Sequence, residues 1–370
     1  MLFTTSKENL NTAVNAVQKA INPKSIIPLY TCVKIDVKDN IAVFTGAGLD
    51  ISIECSVPVQ AEREGSALIP AKYFGDIIRK LPDIPITLEH TESMEMTIRY
   101  EKSVFTLRTM SIEDFPALDV FRSGLDFIVS SETYKKMIRQ SSFAASADEM
   151  KAVFTGLLWE INGKELSIVG TDTHRLAWVK GQISNNEIIN DDEIKGSFII
   201  PARIAIEIAR LMQEENCHIQ ADKNTVFFAF DNIRVNCRVL EGNFPNFRQV
   251  IPEKFVTEVQ VDSKALRDAA DRISLFSTMN DTSSTIHLEI AENVLTIHSR
   301  SDIGFGREEI MIRQEGEDIN ISFNSRYITD VFKVIDGDEV SIQLSGQLSA
   351  GVMREKEDED FLYLVLPVKV

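Results

Sequence analysis

The chain has 370 residues, 44% of them hydrophobic and 26% charged, a globular balance that excludes a disordered chain and leaves room for two or three domains with their own cores. A formal net charge of −17 with a pI near 4.8 argues, taken whole, against a protein coated in nucleic acid or spread on an anionic membrane. No apolar run reaches membrane-spanning length, the first residues lack a signal-peptide pattern, and the scattered Cys32, Cys55, Cys217 and Cys237 form no C-x-x-C pair, so a cytoplasmic protein with buried thiols is expected.

In chain order, a short β-like run at Phe3-Thr4-Thr5 leads through Ser6, an N-cap, into an amphipathic helix over 7–20. Alternation at Lys34-Ile35-Asp36-Val37 predicts a half-buried strand. Residues 67–81 read as strand, sharp corner at Pro70 and a second amphipathic helix, and Phe115-Pro116 closes the segment as a linker corner. The series then restarts with a run at 127–130, a helix over 132–145 and a strand at 165–169. A strand, corner and helix follow over 198–212, with the corner at Pro201, then a strand at 225–230 and a second linker corner at Phe244-Pro245. A third series has a run ending on Asp262, a helix over 263–274, a strand at 285–290, and strand, corner and helix over 321–335 with the corner at Asn324.

Self-similarity at this spacing marks a repeated structural unit. The linker corners put boundaries near 120 and 252 and predict domains 1–120, 121–252 and 253–370. The expected fold class is α+β: two helices packed on antiparallel sheets, used three times.

The residue two beyond each corner is Lys72, Arg203 or Arg326, and the residue nine beyond is Arg79, Arg210 or Lys333. Positions seven apart share a helix face, so each second helix is expected to carry a two-cation stripe. The helical windows 6–21, 71–81, 131–142, 202–212, 263–273 and 325–335 together hold 15 Lys and Arg against 7 Asp and Glu, which leaves the rest of the chain strongly acidic. A cationic helical surface on an acidic protein points to the phosphate backbone of DNA. The helices lack an Asn, Gln and Arg recognition cluster and an aromatic stacking platform, so binding should be independent of sequence and sensitive to salt.

In Thr171-Asp172-Thr173-His174-Arg175-Leu176-Ala177, the Asp, His and Arg would suit acid–base or phosphoryl chemistry and a hydrolase. No other His lies near in sequence, G-x-S-x-G and G-x-x-x-x-G-K are absent, and no carboxylates have metal spacing. No catalytic residue, metal or cofactor is therefore expected. Aligning the repeats puts Leu49 and Ile303 at the position of His174, so the scaffold does not require the imidazole.

The repeats, the charge partition and four strings (111–116, 171–177, 242–252 and 361–370), in this order and spacing, resemble the bacterial beta sliding clamp family, the DNA polymerase III beta subunit, along essentially the whole chain. The resemblance implies a non-catalytic processivity factor. It would be a head-to-tail homodimeric ring with helices lining the hole, holding duplex DNA without sequence preference. Family bore residues match Lys24, Lys72, Arg79, Arg203 and Arg210, while Asp148 occupies a loop position that relatives use for DNA. Ring closure would involve Phe105 and Leu107 on one side and Leu275 and Phe276 on the other.

The resemblance also implies a groove between the second and third domains that takes short peptides of the polymerase, the clamp loader and repair proteins. The matching residues are Thr171, His174, Arg175, Leu176, Pro245, Val250, Asn324, Tyr327, Leu348, Leu364, Leu366, Pro367 and Val368. Leu, Val and Pro would form an apolar slot, with Arg175 and Asn324 bonding an extended backbone. Thr173, Lys151, Phe154, Gln249 and Ala350 stand where other clamps often carry Gly, Arg, Leu, Arg and Ser, departures that would alter motif preference or mark a paralogue with changed partners.

Overall fold

Period-two alternation dominates the chain, and the computed structural model describes residues 1–116, 118–183, 194–213, 216–277, 284–356 and 358–369 as four antiparallel sheets with six α-helices. Ala117, in the first linker, and the terminal Val370 lie outside the described residues.

The helices are α1 (Lys7–Val17), α2 (Ala71–Lys80), α3 (Ser131–Ser142), α4 (Ala202–Leu211), α5 (Ser263–Ser274) and α6 (Ser325–Val331). Ser6 caps α1 by accepting from the Asn9 amide, and Asp262 caps α5 by accepting from Ala265. Three helices end earlier than the sequence pattern suggests. α1 tightens into a 3-10 turn at Gln18–Ala20, and α3 stops at Ser142. α6 stops at Val331, and Lys333 follows in a turn, its amide donating to the Asp330 carbonyl at 3.1 Å. The β-branched Ile328, Thr329, Val331, Val334 and Ile335 make this a weak helical sequence. The two-cation stripe therefore exists on α2 and α4 but not on α6.

The chain forms two compact units, one with Met1–Glu132 and Glu207–Val239, the other with Thr133–Ile183, 194–206 and Leu240–Val370. They do not follow the repeats, because sheets run through the repeat junctions. In the first unit an eight-stranded sheet joins Ile51–Pro58 of the first copy to Ile233–Arg238, the last strand of the second, with Ile233 opposite Cys55 and Cys237 opposite Ile51. In the second unit a nine-stranded sheet joins Arg175–Gln182 of the second copy to Phe361–Val365, the last strand of the third, with Arg175 opposite Val365. Both junctions pair the same two kinds of strand, which covers edges that would otherwise be exposed.

One strand of each kind is left at a sheet end. Ser103–Arg108 closes the five-stranded sheet of the first unit, and Gly304–Met311 closes the four-stranded sheet of the second.

Hairpin register fixes how the copies correspond. Lys38 faces Ile41, Asn162 faces Glu165 and Ala291 faces Val294; farther along, Ala47 faces Ser52, Thr171 faces Leu176 and Arg300 faces Phe305. This register puts Asp50, not Leu49, at the position of His174 in the first copy, while Ile303 stands as aligned. A one-residue slip exchanges the faces of a strand, so the hairpins decide the alignment where sequence similarity is thin.

Two glycines set how closely helices lie on strands. A Cβ on Gly46 would stand 2.3 Å from the Val17 carbonyl oxygen at the end of α1, and one on Gly170 would stand 2.3 Å from that of Ser141 at the end of α3. All four cysteines are free and buried, and among the described residues no helix is long and apolar enough to cross a membrane.

Candidate functional site

The turn that follows Thr171 is organised by short side chains. Asp172 Oδ1 accepts from the amides of His174 (2.9 Å) and Arg175 (3.0 Å), and Thr171 Oγ1 donates to the Arg175 carbonyl at 2.6 Å. Thr173 is held at φ 83°, in the left-handed region that a β-branched residue rarely enters. The Asp172 carboxylate is therefore occupied by backbone and by Arg175 Nε (3.0 Å), and among the described residues no carboxylate bonds the exposed His174 imidazole. An Asp–His dyad for hydrolysis is not assembled.

Arg175 is the buried hub of this region. Its Nη1 donates to Asp330 Oδ2 at 2.7 Å, and its guanidinium stacks on Tyr327 at 4.6 Å and faces Phe143 at 5.7 Å. Lys333 Nζ reaches the other Asp330 oxygen at 2.6 Å. Burial works to raise the Asp330 pKa, but the hydrogen bonds from Lys333 and Arg175 outweigh it and hold the carboxyl below the usual aspartate value. The Tyr363 hydroxyl, pushed up by burial, donates to the Tyr327 carbonyl at 2.9 Å. Two nitrogens of Arg175 are thus committed, Nε to Asp172 and Nη1 to Asp330, with the side chain 9% exposed.

Leu176, one residue on, points to the opposite face of the sheet. Leu176, Leu364 and Val352 are successive partners across three strands, in one apolar cluster with Phe247, Ala350 and Leu362. Phe247 and Ala350 draw two loops onto this face, and their sequence neighbours Pro245, Val250 and Leu348 are exposed. Beyond Leu364 the tail is tied down by the Leu366 amide to the His174 carbonyl (2.9 Å) and the Val368 amide to Ser322 (2.8 Å), which leaves Leu366 exposed and Pro367 and Val368 half-buried. The other eleven of the thirteen predicted residues divide. Leu176 and Leu364 belong to the apolar cluster, while Pro245, Val250, Leu348, Leu366 and His174 are exposed. Thr171 lies inside the turn, and Arg175 and Tyr327 lie on the helical face. Asn324 caps α6, its Oδ1 accepting from the Arg326 amide at 2.9 Å.

Two departures from the family pattern touch each other, Lys151 Nζ donating to Thr173 Oγ1 at 3.3 Å, and a third, Phe154, meets Phe244 edge to face at 5.9 Å. Asp148 caps a 3-10 turn by accepting from Met150, and Gln249 is exposed. Sequence reasoning missed Asp330 and Phe247. The signal for Asp330 was a lone acid between two expected cations, and Phe247 stood in a quoted motif without a role.

The predicted cations Lys24, Lys72, Arg79, Arg203, Arg210, Arg326 and Lys333 are all exposed, Lys24 in the loop after α1. On the first unit's sheet end, Phe105 and Leu107 face the same side as Ile98 and Met96, and Phe105, stacked on Tyr100 at 6.2 Å, remains 39% exposed. On the second unit's sheet end, Phe276 lies over the backbone of Gly304 and Gly306, where Cβ atoms would stand 3.3 and 2.6 Å from its ring, and Leu275 is 70% exposed.

Three family models match in succession: the DNA polymerase III beta subunit N-terminal domain over residues 1–119, the central domain over 128–246 and the C-terminal domain over 248–369. A beta sliding clamp of Staphylococcus aureus is 32% identical over 381 residues, covering 100% of this chain and 99% of the relative. The crystal structure of a DNA polymerase sliding clamp from Bacillus subtilis superimposes with a TM-score of 0.95 at 30% identity, covering 100% of this chain and 99% of the other. A sliding clamp from Pseudomonas aeruginosa bound to griselimycin matches with a TM-score of 0.94 at 25% identity over 100% of both chains.

Proposed function

The chain belongs to the DNA polymerase III beta subunit family, the beta sliding clamps, and is a non-catalytic three-domain α+β DNA sliding clamp; on that premise we propose that two copies close head to tail around duplex DNA and tether partner proteins through the apolar groove. Domains 1–120, 121–252 and 253–370 are the proposed units of the ring, and the cytoplasm is its proposed location.

The observation that carries ring closure is the pair of free sheet ends, which are the two kinds of strand that pair at both internal junctions. The two-residue turns after Tyr100 and Phe230 make Ser103 equivalent to Ile233, so Leu107 corresponds to Cys237. Transferring the internal register sets Leu107 opposite Gly304 and Phe105 opposite Gly306 of the second chain. Bulky side chains then meet glycines, beside Phe276 and Leu275, and a partly exposed apolar edge is buried. In such a ring the cations of α2, α4 and α6 and Lys24 would act on phosphate through a salt-sensitive, sequence-independent field.

The groove reading rests on the apolar floor of Leu176, Leu364 and Val352 beneath the exposed Val250, Leu348 and Leu366, a surface suited to the Leu or Phe anchors of an extended peptide. Its proposed users are the replicative polymerase, the clamp loader and repair proteins.

Light scattering on a sizing column tests closure. A mass near twice 41.6 kDa that falls to one chain when Phe105 and Leu107 are both changed to Asp supports it. A monomeric parent chain refutes it.

A further inference from the structure

Lys72, Arg203 and Arg326 are each the second residue of a helix, exposed, and among the described residues none of the three pairs with a carboxylate. Sheet register makes them equivalent, since Cys32 faces Pro70, Gly156 faces Pro201 and Thr285 faces Asn324 at the three corners. Seven residues on, each copy does the opposite. Arg79 meets Asp76 at 2.7 Å, Arg210 meets Glu207 at 2.7 Å and Lys333 meets Asp330 at 2.6 Å, the acid standing three residues earlier every time. Arg79 also donates to Gln18 Oε1 at 2.9 Å, and Glu207 also holds Lys19 at 3.0 Å. The acids thus repeat as faithfully as the cations do.

The fold accounts for only one of these two sets. A cation near a helix C-terminus with an acid three residues before it is favoured by the backbone dipole and by the side-chain pair. A cation in the first turn faces the positive end of that dipole and helps no helix. A charge kept three times where the fold gains nothing from it is explained by an anion outside the chain.

We propose that Lys72, Arg203 and Arg326 make the principal phosphate contacts in each chain, while Arg79, Arg210 and Lys333 are neutralised by their own acids and contribute little. This rests on the DNA-encircling reading and divides its cations into two classes. A paired cation brings little net charge to the duplex and so displaces few counterions from it, whereas an unpaired one displaces them when it meets a phosphate. A few strong contacts spread over three domains also suit a ring that must move along its DNA.

The test is the affinity of the full-length protein for a short fluorescent duplex, read by anisotropy over a salt series, with solution mass confirming an intact dimer for every variant. Lys72→Ala, Arg203→Ala and Arg326→Ala should each weaken binding and flatten the slope of log K against log salt by about 0.9 for each phosphate that is no longer neutralised. Arg79→Ala and Arg210→Ala should flatten it less. Asp76→Asn and Glu207→Gln, which release Arg79 and Arg210, should tighten binding and steepen the slope, a gain that a damaged fold would not give. Equal losses in the two cation classes, or no gain from releasing the paired ones, would overturn the division while leaving the clamp reading intact. A parent protein that fails to bind duplex even at low salt would overturn both.

Discussion

Replacing Arg175 with Ala tests whether the floor of the proposed partner groove is held from the far side of its sheet. The substitution removes the cation from between two carboxylates whose side chains are 14% (Asp172) and 12% (Asp330) exposed. Breaking a buried pair by deleting one partner costs about 3–5 kcal/mol. The hydrogen bond with Lys333 survives and lowers that cost, while removal of the stacking on Tyr327 adds about 1–2 kcal/mol, so about 4 kcal/mol is expected at neutral pH. The folded Asp330 pKa is depressed, so the stabilisation it provides is present above the unfolded value of about 3.9 and is lost as pH falls through the folded one. Without Arg175 the depression is smaller, so the variant's deficit should be full at neutral pH and shrink in acid. Urea unfolding followed by tryptophan emission suits the question, because Trp159 and Trp178, the only two tryptophans, both lie in the second unit. A deficit below about 1 kcal/mol, the size of an exposed pair, or one that does not change with pH, would refute the buried-hub account.

Gly170→Ala should destabilise the second unit by about 1–3 kcal/mol in the same assay, since its Cβ would collide with the Ser141 carbonyl and Leu157. Thr173→Gly should raise stability by about 1 kcal/mol through relief of its left-handed backbone, partly offset by loss of the Lys151 hydrogen bond, as read by thermal unfolding. His174→Ala should change stability by no more than about 0.5 kcal/mol yet weaken capture of a fluorescent peptide carrying Leu and Phe anchors; unchanged peptide affinity would remove His174 from the groove.

The three-fold repeat was legible because its strongest signals are local. Pro70, Pro201 and Asn324 each end a strand and open a helix, and Ser6 and Asp262 cap the helices they precede. The cations were legible as charges but not as pairs. Only the helical geometry shows Asp76, Glu207 and Asp330 closing on the later set, and only the folded chain shows α6 ending before Lys333. Arg175 and Leu176 are adjacent in the motif of the proposed groove, yet alternation sends one into a buried ion pair and the other into the apolar cluster, a division that depends on which face the helices cover. The Leu49 alignment failed for a related reason: hairpin pairing, which is non-local, sets the register.

The measurement that bears most directly on the central claim is covalent sealing of the ring on DNA. In the proposed ring the transferred register would set Val104 opposite Arg307 of the second chain, and both are exposed while the native thiols are buried. A Val104→Cys, Arg307→Cys protein mixed with nicked circular plasmid and joined by a short bismaleimide should stay with the circle in detergent and be released when the plasmid is cut once. Crosslinked dimers that leave a circle and a linear fragment equally in detergent would show that the chain does not encircle DNA.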